Sequence, residues 1–279
     1  MREEAWVGNP GTAAAPDAAN RGVGVVEWIR SHPAVQRIED FLYGYLADRS
    51  LDETRRIATP PAPRSAALKA VREVHEADRI LRALRLRPYY DYPYKVWDGV
   101  RFLSIILHDH PPNAAVLDLG SGPHSNVLRW LELHGYRDLS AVDVIFRRPI
   151  RRGAIRYYED DVVRTRFEDG RFDCAFSQSV IEHGVDPTAF LREVRRLLRP
   201  GGSLLVSTDF WPEKVDTSGL TMYGLPWRIF SEDELRAFVR DAGAVGLRLT
   251  EPLDLSVGEP IVSVLGARYT FAFLAFRAT

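Results

Sequence analysis

Residues 115–125 read Ala-Val-Leu-Asp-Leu-Gly-Ser-Gly-Pro-His-Ser, and this stretch decides the fold. Val116–Leu119 is a short apolar run of the kind that forms a buried strand. Gly120 and Gly122 behind it let the backbone turn sharply and pass close to a ligand. Val127, Leu128 and Leu131 then recur at helical spacing, and Gly135 closes the helix. A strand, a glycine turn and a helix in this order begin a βα unit, whose helix N-terminus aims free N–H groups at whatever the turn holds. The third glycine of the dinucleotide-binding GxGxxG pattern is missing, with Ser125 in its place.

Downstream the same alternation continues. Leu139–Val142, Ile155–Tyr158, Phe172–Phe176 and Ser203–Ser207 read as strands two to five. Asp186-Pro187 reads as an N-cap followed by proline at the first helical position. Phe190, Leu191, Val194, Leu197 and Leu198 are that helix's buried stripe. Ser231 and Glu234 form a capping box ahead of Leu235, Phe238 and Val239. Leu247–Leu249 and Tyr269–Phe276 supply late strands. Alternating strands and helices imply parallel pairing with both faces of the sheet covered. Ligands on such sheets sit outside the carboxyl ends of the strands.

Upstream, residues 1–22 show no periodicity and are expected to form a disordered tail. Residues 23–88 read as a helical extension, interrupted by the linker Thr59-Pro60-Pro61-Ala62-Pro63. This extension would cap the site or form a homodimer interface. Residues 89–279 form the main domain. It begins with the aromatic turn Tyr89–Tyr94 and an amphipathic helix carrying Val96, Val100, Leu103, Ile106 and Leu107.

Composition excludes several classes. Lys and Arg total 37 against 38 Asp and Glu, a net charge of −1, which is not the basic excess of a general nucleic-acid binder. Only Lys69, Lys95 and Lys214 are lysines; the other basic residues are arginines scattered along the chain. The single cysteine, Cys174, permits no internal disulfide and fits a reducing compartment. Apolar runs such as Ile105-Ile106-Leu107 fall far short of the roughly 20 residues that cross a bilayer. The expectation is a cytoplasmic protein without membrane or nucleic-acid partners. His108 and His110 have no second ligand pair at suitable spacing, so no metal site is expected.

The strand ends carry the chemistry. Asp143 follows strand two and can accept both hydroxyls of a ribose. Glu159-Asp160-Asp161 follows strand three and can accept from an exocyclic amine. Ser177 to His183 follows strand four, and His183 is a candidate general base because imidazole titrates near neutrality. Up to this point a nicotinamide-dependent oxidoreductase fits as well.

The order Val116–Gly122, Asp143, Asp161, Phe172-Asp173, Glu182-His183 and Arg199-Pro200-Gly201-Gly202 resembles the class I S-adenosylmethionine-dependent methyltransferases, in the branch that includes many small-molecule enzymes. The resemblance covers roughly residues 112–210. It implies a doubly wound α/β fold with a mostly parallel seven-stranded sheet, Rossmann-like, behind the N-terminal helical extension. It also implies S-adenosyl-L-methionine as cofactor. Asp118, Gly120 and Gly122 would line its methionine and ribose end, and Asp143 would hold the ribose hydroxyls. Asp161 and the backbone of Val162 would meet the adenine, and Ser177 would sit beside the methionine part. His124 departs from the family, which often has a glycine there.

The expected reaction is methylation of a small molecule at oxygen with His183 as base, or at nitrogen or carbon in a relative of the same fold. Tyr90, Tyr92, Tyr94 and Trp97, with Trp211, Met222, Tyr223, Pro226 and Trp227, are the aromatic and apolar candidates for the acceptor's walls. Arg147, Arg148, Arg151, Arg152 and Arg156 form a basic cluster suited to a phosphate or carboxylate, or to a solvated surface.

Overall fold

The computed structural model describes residues 50–86, 93–122 and 125–279. The expected tail at 1–22, Tyr90, Tyr92 and His124 lie outside the described residues. So does the N-terminal extension before residue 50.

Twelve strands and six α-helices follow one another in the described chain. Helix α1 (Leu51–Ile57), strand β1 (Ala66–Ala67) and helix α2 (Val71–Ala83) come first. A 3-10 turn (Pro93–Lys95) leads into α3 (Val96–Asp109). The alternating region runs β2 (Ala115–Leu119), α4 (Asn126–Leu133), β3 (Asp138–Asp143), β4 (Ile150–Arg152), β5 (Ile155–Glu159), β6 (Phe172–Gln178), α5 (Pro187–Leu197) and β7 (Leu198–Phe210). A small hairpin of β8 (Thr221–Met222) and β9 (Leu225–Pro226) precedes α6 (Glu232–Ala244). β10 (Leu247–Leu249), β11 (Val262–Val264) and β12 (Ala267–Ala278) end the chain.

The main sheet has the order β1-β12-β7-β6-β2-β3-β5-β4, with β10 and β11 also paired to β12. Its centre, β5-β3-β2-β6-β7, is entirely parallel, and β12 closes it antiparallel to β7. These six strands and β10 make up the seven expected. The short β1, β4 and β11 bring the sheet to ten. Isolated reading of two- and three-residue pieces such as Ala66–Ala67 offers no periodicity to detect.

Strand alternation sorts the core onto two faces. Val116, Leu205, Phe271, Phe273 and Ala275 face a layer containing α2, α3 and α4. Leu117, Leu119, Leu204, Val206, Ala272, Leu274 and Phe276 face the layer containing α5 and α6. Near-continuous apolar strands are what burial on both faces requires. Caps fix where the helices start: Ser125 accepts from Leu128 N, Asp186 from Thr188 N and Ala189 N, and Ser231 and Glu234 complete the expected box.

The described end of the N-terminal segment is sewn into the sheet. Ala66 pairs with Phe273, Ser65 Oγ accepts from Ala275 N at 2.9 Å, and Thr270 Oγ1 donates to Leu68 O at 2.7 Å. No helix occupies the connection from β3 to β5; its residues 144–154 hold β4 and four of the clustered arginines, Arg147, Arg148, Arg151 and Arg152, with no apolar stripe to dock a helix.

Phe102 of α3 sits at the centre of the first face, with ring centroids 5.2 Å from Phe176 and 4.8 Å from Phe273. Phe102→Ala is expected to lower unfolding stability by about 3–5 kcal/mol, read by urea denaturation. A loss below about 1 kcal/mol would mean that this contact between α3 and the sheet is not the packing centre.

Candidate active site

Parallel pairing brings the carboxyl ends of β2, β3, β5, β6 and β7 to one edge, and the expected site residues lie there. Behind β2, Gly120 has φ +80° and donates its N–H to Val142 O at 2.8 Å. A Cβ on Gly120 would overlap the Val180 methyl groups, whereas one on Gly122, at φ +57°, would meet nothing within 4 Å. The turn is therefore pressed against the loop after β6 on one side and open on the other. Asp143 ends β3 and braces the turn: Oδ2 accepts from Gly122 N at 2.9 Å and Oδ1 from Ile145 N at 3.1 Å. Each of its oxygens keeps a lone pair for a ligand hydroxyl.

Asp118 is buried in β2 beneath the turn. Burial raises its carboxyl to about 7, a hydrogen bond from Ser125 opposes the rise, and the charge of Asp143 adds to it. After β5, Asp160 Oδ2 accepts from Arg166 N and Nε, both at 2.9 Å. Asp161 is exposed and accepts from Val163 N at 3.1 Å, and Val162 is buried. Ser177 is buried in β6 and donates to Leu119 O at 3.1 Å, bracing the base of the glycine turn.

The loop after β6 carries Glu182 and His183. His183 is half-buried, with its ring 5.5 Å from that of the exposed Tyr223. Its Nδ1 is buried without a hydrogen-bond partner. Burial pushes its proton affinity down, the charge of Asp209 opposes this and Lys95 reinforces it, and the net effect favours the neutral imidazole.

A polar cluster that the sequence reading did not single out lies behind His183. Lys95 Nζ donates to Ser179 Oγ, stands 3.9 Å from Asp98 Oδ2 and lies 3.8 Å over the Phe271 ring. Asp98, buried in α3, accepts from Ser207 Oγ at 2.7 Å and Gln178 Nε2 at 2.8 Å. Thr208 Oγ1 donates to Glu182 Oε2 at 3.0 Å, and Trp227 Nε1 to Asp209 Oδ2 at 2.8 Å. Signals existed: Lys95 is a rare lysine in an arginine-rich chain, Asp98 stands within the apolar sequence of α3, and Asp209 is an acid within the long strand β7.

Other candidates distribute differently. Trp97 is buried against Phe273 and donates to Glu73 at 3.3 Å, which makes it a core residue rather than a wall. Tyr94, Trp211 and Met222 are partly buried and pack on the first core face. Arg147, Arg148, Arg151 and Arg156 are exposed, and Arg152 stacks on Tyr157. His110 bonds Ser203 Oγ and His108 bonds Ser104 O, so the two histidines face different partners. Among the described residues no group of three or more His, Cys, Asp or Glu is arranged to hold a metal ion. No described helix is long and apolar enough to cross a membrane.

A methyltransferase-domain family model matches residues 89–249, more than half of the chain, and the chain belongs to that family. The class so defined is that of the S-adenosylmethionine-dependent methyltransferases, which sets aside the nicotinamide alternative. An uncharacterized 37.1 kDa protein in transposon TN4556 of Streptomyces fradiae is 31% identical over 113 residues. That match covers 37% of this chain and 32% of the relative, so the chain spans about a third of that protein's length. A ubiquinone biosynthesis O-methyltransferase of Xanthomonas oryzae pv. oryzae is 46% identical over 41 residues, 15% of this chain and 17% of its own. A crystal structure from Galdieria sulphuraria, provisionally described as a sarcosine dimethylglycine methyltransferase, superposes with a TM-score of 0.50 at 14% identity. It covers 76% of this chain and 91% of that one, and the likeness is one of fold.

Two outcomes check the geometry. Gly120→Ala is expected to cost at least about 2 kcal/mol of stability, against about 1 kcal/mol for Gly122→Ala, because only the first adds a clash to the left-handed strain. Equal losses in paired thermal melts would contradict the close approach of Val180. The folded-state affinity of Asp118 for its proton lies above the unfolded value of about 3.9, so its contribution to stability is complete below that pH and lost as pH rises through about 7. Asp118→Asn removes this slope, and urea titrations from pH 4 to pH 8 should show the balance shifting towards the variant.

Proposed function

We propose that this chain transfers a methyl group from S-adenosylmethionine to an oxygen of a small-molecule acceptor, with His183 as general base. The observation that carries the reading is a buried imidazole nitrogen without a partner, Nδ1 of His183, on the loop whose Val180 presses on the glycine turn. The cofactor, when bound, supplies a methyl group activated on a sulfonium. The protein's residues then bind, orient and move one proton.

The turn fits such a ligand, because Gly122 faces open space and α4 begins directly behind it. In this reading Asp118, Gly120 and Gly122 take the methionine and ribose end, and Asp143 accepts from the ribose hydroxyls. Asp161 and the Val162 backbone take the adenine; Asp160 is engaged by Arg166, which favours Asp161. Ser177 supports the methionine side through its bond to Leu119 O.

The acceptor chamber is assigned to the His183 side, with Tyr94, Trp211, Met222 and Tyr223 as its walls. Of the extension, the described residues 50–86 are read as part of the domain, which the pairing of β1 with β12 supports. A hydroxyl acceptor needs a base more than a neutral amine does, and a neutral His183 answers that need. The short likeness to an O-methyltransferase agrees with it.

Asp143→Ala should weaken S-adenosylmethionine binding by about 10- to 100-fold in calorimetry, the loss of charge-assisted hydrogen bonds. With a panel of phenols and amines as acceptors, His183→Ala should keep cofactor affinity and lose about 100-fold or more in S-adenosylhomocysteine release. Methylation of amines alone, or full turnover in the His183 variant, would remove the base role.

A further inference from the structure

Glu182 and Asp209 are both almost fully enclosed, 0% and 4% exposed. Consecutive residues of one strap tie them together. Trp227 Nε1 holds the Asp209 side chain, while Arg228 N donates to Glu182 O at 3.0 Å. Phe230 N donates to Asp209 O at 3.0 Å. From the other side Thr208, the neighbour of Asp209, donates to Glu182 Oε2. Glu182 Oε1 is left buried with no partner, a position that an ionised carboxylate oxygen tolerates poorly.

We propose that Glu182 and Asp209 share one proton as a pair beneath the acceptor chamber, and that the pair's remaining negative charge readies His183 to receive a proton. This rests on the reading of His183 as base. The proton leaving the acceptor hydroxyl goes to a nitrogen of His183, and the imidazolium so formed faces the ionised member of the pair. Asp209 is a positioning residue in this scheme, since it acts through His183.

Charges from several elements face the group. Lys95, from the 3-10 turn before α3, is the cation that balances the pair, held at Ser179 and near Asp98. Arg228, on the strap, faces Glu182, Glu234 and Asp186. Asp209, at the end of β7, and Lys95 are the charges felt by His183. Burial raises both carboxyls of the pair, and the charge of Glu182 raises Asp209 further, to about 7. Two carboxyls in one dry site do not both ionise near neutrality.

The test is histidine titration by NMR on the full chain, free of acceptor. In the unaltered protein His183 resonances should titrate in two steps, because its own ionisation and that of the pair are linked. Asp209→Asn leaves the charge on the more distant Glu182, so the His183 midpoint should fall by about one pH unit. Glu182→Gln concentrates the charge on Asp209, so the midpoint should rise. Opposite shifts support the pair; general loosening of the fold does not produce them.

A single-step titration in the unaltered protein, or shifts of the same sign in both variants, overturns the proposal. If one variant does not fold, the wrong sign in the other overturns it. Turnover of His183→Ala judges the base reading separately. A coupled His183 in an enzyme that works without it would sink that reading and leave the carboxyl pair standing.

Discussion

Five parallel strands place five carboxyl ends on one edge, and in this chain those ends carry acidic side chains into a dry environment. Asp118 lies under the glycine turn, Asp209 ends β7 and Glu182 is on the loop after β6, while Asp98 joins them from α3. Each carboxylate loses water when the sheet is covered on both faces, so each must find a donor, a cation or a proton. Much of the local architecture follows from that demand: the Ser207 and Gln178 bonds to Asp98, the Trp227 bond to Asp209, and Lys95 inserted among them. The two halves of this edge answer differently. Beside the glycine turn Asp143 meets backbone N–H groups. Around the loop after β6 the groups are satisfied mostly by one another.

The division explains the unlike surroundings of Asp143 and His183. Asp143 is a rigid brace, fixed by Gly122 and Ile145 while presenting its spare lone pairs outward. His183 is held by packing against Tyr223 and by its backbone bond to Val180 O, and its buried Nδ1 has no hydrogen-bond partner. A binding group gains from being fixed before the ligand arrives, and a base gains from having no competing donor.

Local patterns made the central strands, the helix starts and the placing of the glycine turn and Asp143 at the strand ends legible in the sequence. Val116–Gly122, the Asp186 cap and the Ser231–Glu234 box are short-range signals that need no knowledge of distant contacts. Lys95 and Asp98 were not singled out, because their meaning depends on partners 80 or more residues away, Ser179 and Ser207, and Asp209 because its partner Trp227 lies across the connection between β7 and α6. Trp97 illustrates the reverse error. It stands in an aromatic stretch, but helical phase turns it toward Phe273 and Glu73, away from the strand ends. The length of β7 was also hidden: Pro200-Gly201-Gly202 looks like a helix stop, yet it lies within a strand that starts at Leu198.

The placing of β12 has a bearing on how the molecule is made. This strand lies between β1 and β7, so the earliest described strand and the strand after α5 have no shared boundary until the last strand threads between them. On a ribosome, β1 waits with its edge unsatisfied while some two hundred further residues emerge, and β7 waits until β12 follows it. Until then the outer flank of the sheet is an open edge that another nascent copy could occupy. The gradient of risk therefore runs along translation time, and it falls once β12 has emerged.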